Sequence, residues 1–194
     1  MRKFAIAAAA VAAVASAPAF AANSGPYIGV GVTHDNVAGG GDLEGSGING
    51  VGGTVFAGYD MPLSENTFVG VEANFDLASA KYGDDATYSE EVDNMWGATA
   101  RLGVNLNDGV ALYGRVGYQR GRASVTLLNE KVSESRDGLR FGGGIEAAVS
   151  EQVSVRAEYN RTHYYPTADD KALAESDNIG LNNNQFSLAV VFGF

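Results

Sequence analysis

The segment WGATARLGVNL, residues 96–106, decides the fold. One parity of this segment is apolar, and it consists of Trp96, Ala98, Ala100, Leu102, Val104 and Leu106. The other parity holds glycine, polar residues and the charge of Arg101. Because successive side chains of a strand point to opposite faces, this pattern predicts a β-strand with one apolar and one polar face. Its length matches the roughly 9–11 residues with which a tilted strand crosses a membrane.

Seven further segments alternate in the same way, and they cover residues 27–33, 51–61, 68–77, 110–119, 139–149, 153–160 and 185–194. Helical periodicity is missing from them. The chain is rich in glycine, with 26 residues, and poor in proline, with four. The sequence therefore predicts an all-β domain of eight strands.

The connections between the segments alternate strictly between short and long. The short ones are residues 60–66, 107–109 and 150–152, and the long polar ones are residues 34–50, 80–93, 123–137 and 165–183. Outer-membrane barrels combine short periplasmic turns with long external loops. The pattern predicts an eight-stranded antiparallel up-and-down transmembrane β-barrel with its four long loops outside, available to an extracellular ligand. A soluble β-sandwich also alternates, but with shorter strands and fewer charges on the polar faces.

The N-terminus predicts export. Arg2 and Lys3 precede an apolar run over residues 4–15, and Ala19-Phe20-Ala21 offers small residues at a cleavage site. The run is shorter than the roughly 20 residues that a membrane-spanning helix needs. We expect residues 1–21 to be a cleaved signal peptide and residues 22–194 to be the barrel domain.

Charge and cysteine content exclude some classes of function. The formal net charge is −10, so the chain lacks the basic surface that nucleic acid requires. It has no cysteine, and a closed barrel is held by its own hydrogen-bond ladder without disulfides. No cofactor is expected from any motif in the sequence.

The polar parity of the eight segments collects a set of charges, namely Glu72, Asp76, Arg101, Arg115, Arg140, Glu146, Arg156 and Glu158. Charges in this number can neither remain unpaired in a dry core nor face hydrocarbon. We expect them to line the lumen as an ion-paired plug, because eight strands leave an interior just wide enough for side chains. An ion path or gate is the alternative.

Several motifs resemble the family of small barrels that includes the OmpA transmembrane domain and opacity-type surface proteins. They are PYIGVGV at 26–32, GGGIE at 142–146 and VRAEY at 155–159. The last strand places Phe186, Leu188, Val190, Phe192 and Phe194 at every second position, which resembles the C-terminal signal read by the outer-membrane assembly machinery. OmpA continues into a peptidoglycan-binding domain, whereas this sequence ends at Phe194, so we expect no wall anchoring.

The resemblance implies an outer-membrane location in a Gram-negative bacterium and a structural or surface-interaction role, similar to that of an adhesin. The alternative function is a small-solute channel, a narrow porin. Both place the outer-membrane lipid and the assembly machinery among the partners of the chain.

Cations lie on the lipid-facing parity where strands approach the outer rim. Arg120, Arg122 and Arg161 are placed to contact lipopolysaccharide phosphates, which a guanidinium binds bidentately. Above them the four long loops hold fifteen Asp and Glu against four Lys and Arg. This predicts an acidic layer above a ring of arginines. That the arginines simply extend to water stays open as an alternative.

An enzyme is not expected. His34 and His163 lie near the outer rim, where a lipid A hydrolase would place its base, but no serine stands two residues beyond His163. A catalytic triad also needs an acid within reach, and the spacing offers none. The acidic residues Asp84, Asp85, Glu90, Glu91 and Asp93 match no calcium-loop pattern, so no metal site is predicted.

Overall fold

The computed structural model shows an antiparallel β-sheet that closes into a barrel. It describes residues 24–39, 47–77, 81–85, 88–127, 130–165 and 181–194. The expected signal peptide, residues 1–21, lies outside this part of the chain. Among the described residues, no helix is long and apolar enough to cross a membrane.

Nine strands form the sheet: β1 Gly25–Gly39, β2 Gly47–Pro62, β3 Thr67–Leu77, β4 Lys81–Asp85, β5 Tyr88–Asn107, β6 Val110–Leu127, β7 Glu130–Ala148, β8 Val153–Tyr164 and β9 Leu181–Gly193. β1 pairs with β9, and β3 pairs with β5, so the sheet has no free edge at barrel level. The short β4 pairs only with the outer part of β5 and continues the position of β3. The barrel wall therefore has eight strands, which confirms the predicted fold class.

The register of the ladders fixes the stagger of the barrel. Moving from Tyr27 through each paired residue in turn leads back to β1 at Val37, a shift of 37 − 27 = 10 residues. Such a stagger tilts the strands by about 40° from the barrel axis. Residues that are far apart in the chain consequently meet at the same height inside the barrel.

The two faces of the wall are inverted relative to a soluble protein. Large apolar side chains face outward along every barrel strand, and examples are Val30, Val71, Leu102 and Val116, each more than half exposed. Buried positions instead hold arginines, carboxylates and amides. This is the arrangement of a membrane barrel, whose outward face contacts lipid.

Glycines on the inward face make room for the large side chains of neighbouring strands. A Cβ at Gly144 on β7 would lie 2.6 Å from Tyr113 Oη on β6, to which Gly144 is paired. Gly58 faces the ring of Tyr27 in the same way. Small and large residues therefore alternate around the lumen, and this fills an eight-stranded barrel without overpacking it.

The predicted loop bounds were wrong, because pairing continues into the stretches that were expected to be loops. β1 runs to Gly39, β5 begins at Tyr88, and β6 and β7 pair as far as Leu127 and Glu130. β4 lies wholly within the expected loop 80–93, and β9 begins at Leu181 within the expected loop 165–183. Beyond the membrane both faces of a strand meet water, so backbone pairing persists without the alternation that reveals it.

Candidate functional site: the charged lumen and the outer rim

The lumen near the short turns contains a group of seven charges, here called the short-turn cluster. It consists of Asp60, Glu72, Arg101, Arg115, Glu146, Arg156 and Glu158, and all are buried. Four carboxylates thus face three guanidinium groups. In an eight-stranded barrel these side chains have little access to water, so each charge depends on its neighbours.

Glu72 on β3 lies at the centre of the short-turn cluster. One of its oxygens lies 2.5 Å from Arg156 Nη1 and 3.8 Å from Arg101 Nη1, and the other lies 3.0 Å from Arg115 Nη2. Tyr27 Oη also donates a hydrogen bond to Glu72, at 2.9 Å. A single carboxylate therefore contacts all three arginines of the cluster.

Three further carboxylates complete the pairing of the arginines, and one of them, Asp60, lies 3.4 Å from Arg101 Nε. Glu146 on β7 lies 2.9 Å from Arg156 Nη2 and 3.3 Å from Arg101 Nη2. Glu158 on β8 accepts a hydrogen bond from Arg115 and another from Tyr113 Oη, at 2.7 Å. Charge-assisted hydrogen bonds of this kind are stronger than neutral ones and hold the planar guanidinium groups in place.

Aromatic rings cover the flat faces of the same guanidinium groups. Arg101 Cζ lies 4.1 Å from the ring centre of Tyr113 and 5.0 Å from that of Phe68. Arg156 Cζ lies 4.6 Å from the ring centre of Phe56. Carboxylates bind the edges of the guanidinium groups while rings stack on their faces, an arrangement that favours arginine over lysine.

A second group of polar side chains, the long-hairpin cluster, fills the lumen towards the other end. It consists of Asp35, Asp76, Gln119, Arg140, Asn183 and Gln185. Arg140 lies 3.1 Å from Asp76 and donates hydrogen bonds to Gln119, at 2.9 Å, and to Gln185. Asp35 accepts hydrogen bonds from Asn183, at 2.8 Å, and Gln185, at 3.0 Å. Five strands, β1, β3, β6, β7 and β9, are tied together across the interior.

All eight charges that the sequence assigned to the lumen are buried there, divided six to two between the two clusters. Sequence reasoning missed Asp35 and Asp60, because both fell within expected connections. Their position on the inward parity of β1 and β2 was the available signal. It also missed that Tyr27 and Tyr113 donate hydrogen bonds to the buried carboxylates. Both are uncharged residues on the inward-facing parity, so they were not selected with the charges.

The outer rim carries the three arginines that the sequence singled out. Arg120 and Arg122 on β6 and Arg161 on β8 are exposed and point away from the lumen. Arg120 Nε lies 3.6 Å from Asp137, to which Tyr118 Oη also donates a hydrogen bond. Exposed ion pairs of this kind contribute little to stability. The exposed guanidinium group of Arg120 is therefore accessible to other groups at the membrane surface.

The C-terminal strand presents its alternate residues to the outside of the barrel. Phe186, Leu188, Val190, Phe192 and Phe194 are all exposed, and Phe194 is the most exposed of them at 76%. The backbone N–H of Phe194 donates to the carbonyl of Pro26, at 3.1 Å, which fastens the chain end to β1. The side chain of Phe194 is consequently accessible at the short-turn end.

The histidines lie outside the lumen. His163 Nδ1 is 2.9 Å from the amide oxygen of Asn182, and its ring meets that of Tyr165 edge-on. His34 is paired with Phe186 on β9. Within the described part of the chain, no group of three or more His, Cys, Asp and Glu residues is arranged to hold a metal ion.

Comparison with known proteins shows the family. Residues 7–194 match the sequence profile of the family described as outer membrane protein beta-barrel domain, and the chain belongs to this family. It is 32% identical over 119 residues to the 22 kDa outer membrane protein of Rhizobium leguminosarum bv. viciae. This alignment covers 59% of the chain and 53% of that protein. It is 27% identical over 158 residues to outer membrane protein A of Escherichia fergusonii, covering 75% of the chain and 41% of that protein. The chain thus spans about half or less of these relatives.

Two solved structures share the fold. Neisserial surface protein A has a TM-score of 0.64 at 17% identity, and the alignment covers 88% of this chain and 98% of that one. Ail, the attachment invasion locus protein of Yersinia pestis, has a TM-score of 0.61 at 18% identity, covering 87% and 98%. The protein is therefore a small β-barrel of the Gram-negative outer membrane, as the sequence predicted, and the proteins that it resembles are outer-membrane barrels rather than enzymes.

Removing Arg156 should destabilise the barrel strongly. The change Arg156→Ala leaves Glu72, Glu146 and Glu158 buried with too few counter-charges, and we expect a loss of about 3–5 kcal/mol in the free energy of unfolding. Denaturant unfolding in a neutral detergent measures it. Arg161→Ala, on the exposed face of the same strand, is the control and should change stability by less than about 0.5 kcal/mol. Equal effects of the two changes would show that the lumen is hydrated rather than ion-paired.

Proposed function

We propose that this chain is a structural and surface-interaction protein of the outer membrane with an adhesin-like role. The filled lumen carries this proposal. Five polar side chains that point into the lumen are each less than 2% exposed to solvent, namely Arg101, Arg156, Gln119, Asn160 and Asp76. Side chains that lined a water-filled passage would be hydrated. Their burial supports a rigid scaffold over a conduit.

The strands are longer than a membrane requires, which favours a role outside it. β6 and β7 contain 18 and 19 residues, whereas about 9–11 suffice for a tilted strand to cross. The two strands remain paired to the ends of the described hairpin, at Leu127 and Glu130. A paired ribbon is stiffer than a loop and costs less entropy to order on binding. These hairpins are suited to holding a contact surface clear of the membrane.

The charge of the outer segments indicates the chemistry of the ligand. By sequence, residues 34–50, 80–93, 123–137 and 165–183 carry a net charge of −11, or −10 without Asp35, which is buried in the lumen. Such a surface attracts cationic partners and repels polyanions. Ail of Yersinia pestis has been crystallised with the heparin analogue sucrose octasulfate, an anionic molecule. We propose that this chain instead contacts basic proteins, or anionic sugars through bridging divalent cations.

Adhesion to a cationic surface tests the proposal. Replacing Asp84, Asp85, Glu90 and Glu91 with their amides removes four charges from the β4–β5 hairpin. Attachment of expressing cells to a polylysine-coated surface should fall at least about twofold. The control replaces Glu65 and Glu151 in the short turns, which face the periplasm in this family of barrels, and should change nothing. Equal attachment by all three strains, and by a deletion strain, would refute the adhesive role.

A small-solute channel is the second candidate, and one cavity favours it. A space of about 220 Å³ opens at the short-turn end, lined by Tyr27, Asp60, Glu146 and residues 150–154. This cavity connects the open short-turn end of the barrel with the short-turn cluster. Movement of the arginines would be needed to extend this vestibule through the lumen.

Planar-bilayer recordings separate the two candidates. The purified barrel should give no steady single-channel openings, because the ion pairs of both clusters occupy the lumen. Faster gel migration before boiling, typical of a closed barrel, controls for correct folding of the sample. Steady openings from such a sample would favour the channel.

We further propose that the C-terminal strand is the signal for the outer-membrane assembly machinery. The exposure of Phe194 and its position at the chain end support recognition rather than packing. Neither the family match nor the histidine contacts suggest a catalytic role, and we propose that the chain is not an enzyme.

Deleting Phe194 should impair assembly more than stability. We expect the amount of barrel inserted in cells to fall several-fold. The free energy of unfolding in detergent should stay within about 0.5 kcal/mol of the wild type, as for other exposed positions. Membrane fractionation and denaturant unfolding measure the two quantities. Leu63→Ala, another exposed apolar residue at the short-turn end, is the control. Equal losses in cells and in detergent would assign Phe194 to packing.

A further inference from the structure

The lipid-facing wall has a depression on β6 and β7, formed by two adjacent glycines. Gly114 and Gly143 are paired with one another and both point outward. In the same hydrogen-bonded row, Leu102 on β5 precedes them and Tyr159 on β8 follows. Two neighbouring strands therefore present no side chain between these two large ones. Over adjacent strands about 4.8 Å apart, this leaves a gap wide enough for a hydrocarbon chain.

Apolar side chains border the depression above and below. Val116 and Phe141 form the next pair towards the long hairpins, and Leu112 and Ile145 form the next pair towards the short turns. All four are exposed on the outer face. Two concave surfaces of the wall meet here and share Leu102, Gly114, Gly143 and Tyr159 in their lining. Atoms that border such a depression lack contacts on one side unless lipid fills it.

The arginines of the outer rim lie nearer to the long hairpins than this depression does, Arg120 and Arg122 on β6 and Arg161 on β8. Arg120 lies six residues beyond Gly114 on β6, a distance of about 20 Å along the strand. With strands tilted by about 40°, this corresponds to about 15 Å along the membrane normal. Half of the roughly 30 Å hydrocarbon core has the same thickness. The depression is therefore at the depth where acyl chains of the outer leaflet end.

Among the side chains that the structure describes, the outward arginines lie on one side of the barrel. They are Arg120, Arg122 and Arg161, on β6 and β8. Among the outward side chains that the structure describes on β2, β3 and β5, there is no Arg, Lys or His. Among the outward side chains described on β6–β8, Asp137 offsets Arg120, and the charges of Arg122 and Arg161 remain. A phosphate placed there gains charge-assisted hydrogen bonds from guanidinium groups.

We propose that the β6–β8 wall is a binding site for one lipopolysaccharide molecule of the outer leaflet. Its phosphate groups bind Arg120, Arg122 and Arg161, and one acyl chain extends along the wall to the depression at Gly114 and Gly143. Neither feature alone distinguishes a specific site from general lipid contact. Their presence on the same side of the barrel, and the match between the depth from Arg120 to Gly114 and half of the bilayer, support one amphipathic ligand. This site does not depend on the adhesive role proposed above.

Two variants separate the two halves of the site. Arg120, Arg122 and Arg161 replaced together with Gln remove the phosphate ligands. Gly114→Leu fills the depression, and a Cβ at Gly114 meets no atom closer than 3.9 Å, so the wall accepts the side chain. Gly53→Leu is the matched control, because Gly53 also faces outward into open space, with 3.7 Å to the nearest atom, on the side without cations. Unfolding in neutral detergent verifies that all variants fold equally well.

Titration of the purified barrels with lipopolysaccharide, and with deacylated lipopolysaccharide, gives the test. The triple Gln variant should bind both probes on the order of a hundredfold more weakly, from three interfacial charges. Gly114→Leu should bind intact lipopolysaccharide about tenfold more weakly and the deacylated probe normally, since it loses only hydrocarbon contacts.

Three results would overturn the proposal. Equal affinities of Gly114→Leu and Gly53→Leu would remove the acyl-chain site. Unchanged binding by the triple Gln variant would remove the phosphate site. Loss of self-association in Gly114→Leu, measured by cross-linking at constant lipopolysaccharide affinity, would assign the depression to a second copy of the chain.

Discussion

The structure depends on one constraint: inside lipid, every backbone N–H and C=O group must find its partner within the protein. The pairing of β1 with β9 and of β3 with β5 satisfies it by leaving no edge at membrane level. Closure with eight strands and a shift of ten residues then sets a narrow interior. The outward face becomes apolar because it meets lipid, and everything polar must fit inside or lie beyond the membrane.

The narrow interior explains why the charges are arranged as they are. Arg101 and Arg115 are directly paired across β5 and β6, and both point inward, which by itself would be repulsive. Glu72 reaches both of them, at 3.8 Å and 3.0 Å. Rings of Tyr113 and Phe68 cover Arg101. Buried ion pairs seldom add net stability over an apolar core, so their role here is to make the lumen polar and closed at the same time.

Most of the barrel was predictable from the sequence where lipid imposes the alternation. The eight strands of the barrel wall follow from residues 27–194 and agree with the structure. Beyond the membrane the prediction failed, since the ends of β1, β5, β6, β7 and β9 lie within stretches that look like loops. β4 gave no signal at all. Hydrogen bonding between backbones does not need an apolar face, so nothing in the side-chain pattern marks where such a ribbon ends.

The sequence by itself determined which face each side chain takes, because the period of a strand is two and lipid tolerates no charge on its side. Glu72 and Arg156 are inward, and Gly114 and Arg120 outward, by parity alone. Only the tertiary structure decided which side chains contact one another. The stagger brings Glu72 on β3 within 2.5 Å of Arg156 on β8, and it aligns Gly114 with Gly143. A shift of register by two residues would preserve every face and change every partner, and that choice is made by the whole closed ladder rather than by any one strand.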